Sequence, residues 1–250
     1  MGWRPQGHGV EALYLTTPLS RRVGYGVYVY RYRGLLVDAG PSRAQGFSPG
    51  AEALVLTHAH EDHAGGAPRL GIPVYGSRAT AALLQAPPRL PLYRRLVWGG
   101  LGPTPVRAAE RVGPLHLLPT PGHAPDHVAL YDPEEGVVFS GDLFLSVRAN
   151  LAPPGFDLTA LLQSLEAVLA LRPKALFCAH AGPVAEPHRA LGAKRDFLLR
   201  AREEAGRLRR QGLSPKEVRD RLLGGESPLA YLSFGEMSRL RFVQALLEEA

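Results

Sequence analysis

The run Thr57-His58-Ala59-His60-Glu61-Asp62-His63 brings three imidazoles and the Asp62 carboxylate together, directly behind the apolar stretch Ala53-Leu54-Val55-Leu56. An apolar run ending in such a cluster reads as a buried strand that delivers side chains at its C-terminal tip. Neutral imidazole and carboxylate are the ligands that zinc and its borderline neighbours take. Residues two apart on an extended chain face the same way, so His58 and His60 can chelate one ion. Asp62 and His63 follow where the chain turns, placed to serve a second ion beside the first. The chain has nine histidines in 250 residues, so three in six positions is no random scatter.

Three further positions repeat the pattern. His123 lies in Pro-Gly-His after Leu115-His116-Leu117-Leu118, and Asp142 lies in Ser-Gly-Asp after Gly136-Val137-Val138-Phe139. His180 lies in Ala-His-Ala-Gly after Ala175-Leu176-Phe177-Cys178. In each case a strand-like run ends and a ligand-type residue appears at a turn of small residues.

On these pieces, with Leu36-Val37-Asp38-Ala39-Gly40 ahead of them, the chain resembles the metallo-β-lactamase-fold hydrolase superfamily. The nearest branches are the glyoxalase II-like and ribonuclease-like ones with C-terminal helices. The motifs follow the family's order from about residue 10 to about residue 187. The resemblance implies an α+β fold, a four-layer αββα sandwich with a C-terminal helical extension. It also implies two divalent metal ions, Zn2+ first, with iron or manganese as alternatives. His58, His60 and His123 would hold the first ion, Asp62, His63 and His180 the second, and Asp142 would bridge them. Asp62 and Asp142 would be the catalytic carboxylates, and Asp38 would orient ligands without binding metal. His127, in His-Ala-Pro-Asp-His, reads as a histidine locked by a structural hydrogen bond, with a proton shuttle as the alternative. Asp126 stands where many relatives have glycine.

The remaining residues bound the answer. At 250 residues the chain can bury roughly 70–75% of its unfolded surface, enough for a substantial core. No apolar run reaches the ~18 residues of a membrane span, and no signal-peptide core follows Met1, so a cytoplasmic location is expected. Cys178, the lone cysteine, reads as a small core residue, with a ligand or nucleophile role as the alternative. Twenty-three prolines, one cysteine and two methionines suit a thermostable chain. His8, His116 and His188 read as bystanders.

Strands alternate with turns to residue 60, and helical periodicity takes over after His188. This gives a catalytic domain over 1–187 and a helical extension over 188–250. Helices are expected from Ala64, from Ser77 to about Gln85, over Leu158–Leu171, over Arg189–Gln211, from Ser214 to Leu223, and over Glu236–Glu249. Residues 86–113 read as a Pro- and Gly-rich interruption carrying five arginines, Tyr93 and Trp98, a candidate wall for an anionic substrate. Ser146, Arg148 and Asn150 follow Asp142 and can reach substrate.

The function expected is hydrolysis of an ester, thioester or lactone carbonyl by a metal-bridging hydroxide, on an anionic small molecule. One alternative is a phosphodiesterase or ribonuclease. Residues 188–250 hold thirteen basic against nine acidic residues, a weak nucleic-acid footprint. A mononuclear iron persulfide dioxygenase is another alternative, needing only two histidines and a carboxylate. A binding protein with a dead site fits poorly, since no ligand position is missing.

Overall fold

Strict alternation of apolar side chains builds three stacked cores. The computed structural model describes residues 2–22 and 24–248. Strands β1 (Arg4–Pro5), β2 (Val10–Leu15), β3 (Val27–Tyr32), β4 (Leu35–Val37), β5 (Ala53–Val55), β6 (Val74–Gly76) and β7 (Arg107–Ala108) form one mixed sheet in chain order. Strands β8 (Arg111–Val112), β9 (Leu115–Pro119), β10 (Val128–Asp132), β11 (Val137–Gly141), β12 (Ala175–Cys178) and β13 (Gly182–Val184) form the second.

Every second residue of the central strands points between the sheets. Tyr30, Val37, Val55, Leu130, Phe139 and Phe177 share one buried cluster there. Their neighbours Val29, Leu36 and Leu54 face outward into a second cluster, while Ala129, Val138 and Leu176 face the opposite way into a third. Period two on strands buried on both faces accounts for all three. Tyr30 Oη donates to Cys178 O (2.6 Å) and Tyr32 Oη to Asp132 Oδ2 (2.7 Å), so both rings cross the inter-sheet core with their hydroxyls satisfied.

The helices cover the outer faces. On the first sheet lie α1 (Pro18–Arg22), α2 (Glu61–Ala64) and α3 (Arg78–Gln85), with α4 (Leu92–Val97) against α1. Ala64 and Leu84 are fully buried in that outer cluster. On the second sheet lies α5 (Leu158–Ala170), capped by Asp157, whose carboxylate accepts from Ala160 N (2.8 Å). Against it packs α6 (Pro187–Arg210), and on α6 and each other pack α7 (Pro215–Leu223) and α9 (Arg239–Leu247), with α8 (Pro228–Leu232) between these two in the chain. Leu165, Leu198, Val218 and Phe242 share one core, so the C-terminal helices are continuous in packing with α5. The expected four-layer αββα sandwich is the observed one.

Several boundaries differ from expectation. The helix expected to start at Ala64 begins at Glu61, inside the ligand run, because His60 O already accepts from His63 N and Ala64 N. The 86–113 interruption contains α4, which follows Pro91 at its N-cap. The last expected helix starts three residues late, as α9 at Arg239, after Ser238, whose hydroxyl accepts from Arg241 N, and the unexpected helix α8, capped by Ser227, precedes it. Glu249 lies outside the described residues. Among the described residues no helix is long and apolar enough to cross a membrane.

Lys194 on α6 is almost fully buried, its Nζ donating to Phe144 O at 2.5 Å. Burial disfavours the ammonium and lowers its pKa to about 8 from 10.5. Between those values the unfolded chain binds more protons than the folded one, so stability rises with pH there. Urea unfolding at pH 7 and pH 9 tests this: the wild type gains roughly 1 kcal/mol from this group, and Lys194→Met lacks that increment. An equal pH response in both proteins contradicts the burial argument.

Candidate metal centre

The ligand-type residues all emerge from one end of the sandwich. His58–His63 follows β5, His123 follows β9, Asp142 follows β11 and His180 follows β12. Two backbone bonds stitch the sheets together at this end: Val128 N to Thr57 O (2.8 Å) and Tyr28 N to Ala179 O (2.6 Å). The turn after β5 presses on residues 39–42. A Cβ on Gly66 would strike Ala39 O and one on Gly65 would strike Glu61 O and Ser42 N, so only glycine allows the approach.

Seven predicted residues converge. Ring nitrogens of His58, His60 and His123 lie within 4.8 Å of one another, as do donor atoms of His58, His63 and Asp142, and of Asp62, His63 and His180. Asp142 faces both sides. Its Oδ2 is 3.2 Å from His123 Nε2, and its Oδ1 is 3.3 Å from His63 Nε2 and 3.4 Å from His180 Nε2. His123 Nε2 and His60 Nδ1 approach to 3.1 Å.

His58 Nε2, His63 Nε2 and Asp142 Oδ1 are buried yet make no hydrogen bond. Their close approaches lack hydrogen-bond angles; the atoms point at common centres, not at each other. Buried polar atoms without partners are rare and costly. Neutral imidazole and carboxylate oxygen around such centres are the donor set that divalent ions of the zinc group take. The residues present therefore fit metal ions.

Neighbouring groups hold the outer faces of these side chains. Asp38 is buried with a left-handed backbone (φ 58°), a conformation rare for a non-glycine residue. It accepts from Thr57 N through Oδ1 (2.8 Å) and binds His63 Nδ1 through Oδ2 (2.8 Å). His180 Nδ1 donates to Gly26 O (2.7 Å), and the Tyr25 ring stacks on the His180 ring at 4.6 Å.

His127 Nδ1 is 3.0 Å from Thr120 O, which can only accept, so Nδ1 carries the proton. Its Nε2 then accepts from Asp142 N (3.0 Å). With both nitrogens committed to backbone, His127 fixes the Asp142 turn and has no free atom for shuttling a proton. Gly141 (φ 46°) lets this contact form, since a Cβ would come within 2.6 Å of His127 Nε2.

Electrostatics sort the imidazoles into two kinds. Burial lowers His58 and His123 well below the usual value, and burial with the nearby Arg94 charge takes His60 to about 4. These three stand neutral, as ligation requires. Burial opposes charge on His63 and His180 as well, but neighbouring groups override it: Asp142 and Asp38 raise His63, and Tyr25, then Asp142 and Asp62, raise His180. Burial likewise opposes ionisation of Asp142, yet His180, His63 and His123 hold its carboxyl well below the usual range.

Sequence reasoning missed four residues around this cluster. Glu61 is buried and held bidentately by Arg94 (2.6 and 2.7 Å), which latches α4 to the ligand turn. Asp126 Oδ2 accepts from Ala59 N (2.8 Å) and Thr80 Oγ1 (2.9 Å), so it ties the His123 loop to the His58 turn. Its departure from the family's glycine was the only signal. Tyr25 and Met237 line a cleft of about 440 Å3 over the cluster. Tyr93, Trp98, Ser146, Arg148 and Asn150 line it too. Of the five arginines in 86–113 only Arg94 reaches it, and Glu61 neutralises that charge. Cys178 is buried in the α5-side core, bonded near Gly141 O, and lines no part of the cleft.

Asp38→Asn removes the carboxylate that fixes His63. Metal affinity falls roughly 10- to 100-fold, read by chelator competition on purified protein. Unchanged affinity contradicts an orienting role for Asp38.

The chain has named relatives. It is 30% identical over 110 residues to a probable metallo-hydrolase of Bacillus subtilis, covering 41% of this chain and 50% of that protein. It is 30% identical over 125 residues to a hydroxyacylglutathione hydrolase of Cereibacter sphaeroides, covering 50% and 46%. The chain thus spans about half the length of these curated relatives. A metallo-beta-lactamase family protein from Thermus thermophilus superposes with a TM-score of 0.66 at 21% identity, over 96% of this chain and 93% of that one. A beta-lactamase domain protein from Burkholderia ambifaria gives 0.69 at 18%, over 99% and 87%. These two share the fold. Residues 27–180, from β3 through His180, match the Metallo-beta-lactamase superfamily, and the chain belongs to that superfamily.

Proposed function

We propose that this chain is a binuclear metallo-hydrolase acting on the carbonyl of an ester, thioester or lactone of an anionic small molecule. The observation that carries the reading is the Asp142 carboxylate, whose two oxygens face separate donor groups within 3.2–3.4 Å. His58, His60 and His123 would hold one ion, and Asp62, His63 and His180 the other, with Asp142 between them. Bound there, a pair of divalent ions, zinc by the ligand chemistry, supplies an ionised water at neutral pH and polarises the substrate carbonyl.

The protein's own groups do the rest. Asp38 and Gly26 keep His63 and His180 turned inward, and His127 holds the Asp142 backbone. Asp62, kept ionised beside His63 and His180 despite its burial, is ready to act as the carboxylate ligand of the second ion. The acyl carbon–sulfur or carbon–oxygen bond breaks as a carbon–oxygen bond to water forms. The proton passes to the leaving thiol or alcohol. Tyr25, Trp98 and Met237 wall the substrate from solvent, and Arg148, exposed and without an ion pair among the described residues, is the cation left for an anionic group.

The names of the relatives favour a thioester. A nucleic-acid face is not supported by the C-terminal helices, where Arg195, Arg207 and Arg219 pair with Glu166, Glu204 and Glu226 or with adjacent acids. A one-iron dioxygenase would leave Asp62, His63 and His180 without a task.

Metal-loaded protein assayed on an acyl thioester, a lactone and bis-p-nitrophenyl phosphate tests the proposal. Acyl substrates turn over fastest, and Asp142→Asn or chelation removes the activity. Preference for the phosphodiester, or acyl hydrolysis insensitive to chelation, contradicts it.

A further inference from the structure

Among the described residues four large apolar side chains are more than half exposed: Leu92 (69%), Tyr231 (77%), Leu232 (59%) and Phe234 (89%). All four lie on two short stretches, α4 and α8 with the turn that closes it. Leu96, one helical turn beyond Leu92, is 44% exposed on the same side of α4. Elsewhere among the described residues exposed apolar side chains are scattered singly, which is ordinary for a protein surface.

The two elements belong to the rim of the cleft. Tyr93 Oη donates to Glu236 Oε2 (2.7 Å), joining α4 to the segment after α8. Tyr93, Trp98 and Met237 line the cleft itself. Leu92 precedes Tyr93, and Phe234 precedes Glu236 and Met237 by two and three positions, so the exposed side chains lie on the same elements that form the cleft rim. Arg94, bound to Glu61, anchors α4 to the ligand turn.

Phe234 adds a backbone argument. It closes α8 with a left-handed conformation (φ 52°), where Gly235 N reaches back to Ala230 O (2.7 Å). Glycine is the residue that this kind of helix end favours. A phenyl ring held there, almost wholly in solvent, has neither a local conformational reason nor a packing one.

We propose that the α4–α8 rim binds the acyl chain of an amphipathic ester or thioester. The carbonyl then lies at the His–Asp cluster, the anionic group at Arg148, and the chain against Leu92, Leu96, Tyr231 and Phe234. This rests on the acyl-hydrolase reading and names the substrate class within it. Apolar burial, with no hydrogen bonds to satisfy, makes the site graded in chain length and not selective for one chain.

A series of p-nitrophenyl esters from butanoate to decanoate, assayed on the full metal-loaded chain, reads the rim directly. kcat/KM rises about twofold per methylene, part of the increment for complete burial. The double variant Phe234→Ala/Tyr231→Ala, exposed positions that leave the core intact, flattens the rise and keeps the butanoate value. A flat wild-type series, or a variant that loses butanoate and decanoate activity equally, overturns the proposal. Binding of decanoate against butanoate, followed by tryptophan fluorescence with Trp98 on the cleft wall, needs no turnover. Protein that cleaves no ester yet prefers decanoate, and loses that preference in the variant, refutes the acyl-hydrolase reading and retains the apolar site. Equal binding of both acids, with sedimentation showing a dimer that the variant abolishes, assigns the rim to a second copy and overturns the proposal.

Discussion

Seven ligand-type side chains buried around adjoining centres are the constraint to which the rest of the structure answers. An unsatisfied buried polar atom costs about 1–3 kcal/mol, and a charged one more. Here three such atoms are presented together, and each belongs to a residue whose other side is firmly held. Asp38 grips His63 at the price of a left-handed backbone; Thr57 contacts His58; His127 grips the Asp142 turn. The outward atoms are satisfied and the inward ones are left free. A fold gains nothing from this arrangement unless cations occupy the centres.

The β-sandwich supplies what that arrangement needs. Strands buried on both faces are rigid, and their ends can deliver ligands from two sheets to one edge. The short reach of the glycine turns then matters. Gly65 and Gly66 bring the His63 turn against residues 39–42, and Gly141 brings Asp142 against His127. A side chain at any of these would move a ligand away from its partners.

The centre was legible in the letters because each ligand follows an apolar run at a turn, a local signal. Alternation in β2–β5 and β10–β12 gave the sheets for the same reason. Elements held by distant partners were not legible. α4 is fixed by Arg94–Glu61 and Tyr93–Glu236, contacts 33 and 143 residues apart, which no local window contains. The five arginines of residues 86–113 looked like an anion site by composition, yet one is neutralised and the others lie away from the cleft. Tyr25 escaped notice because Gly24-Tyr25-Gly26 reads as an ordinary turn, and only the fold stacks it on His180. α8 was hidden by its length, five residues between Ser227 and Ser233, too short for a periodic pattern. The C-terminal helices in turn reach the centre by two routes invisible in sequence: Lys194 to the carbonyl two residues past Asp142, and Met237 onto the cleft wall.

Anomalous diffraction from crystals grown with zinc measures the central claim most directly. Two scattering peaks about 3.5–4 Å apart, one among His58, His60 and His123 and one among Asp62, His63 and His180, with Asp142 touching both, is the result expected. A single peak, or zinc bound only at surface histidines such as His8 or His188, would contradict the account.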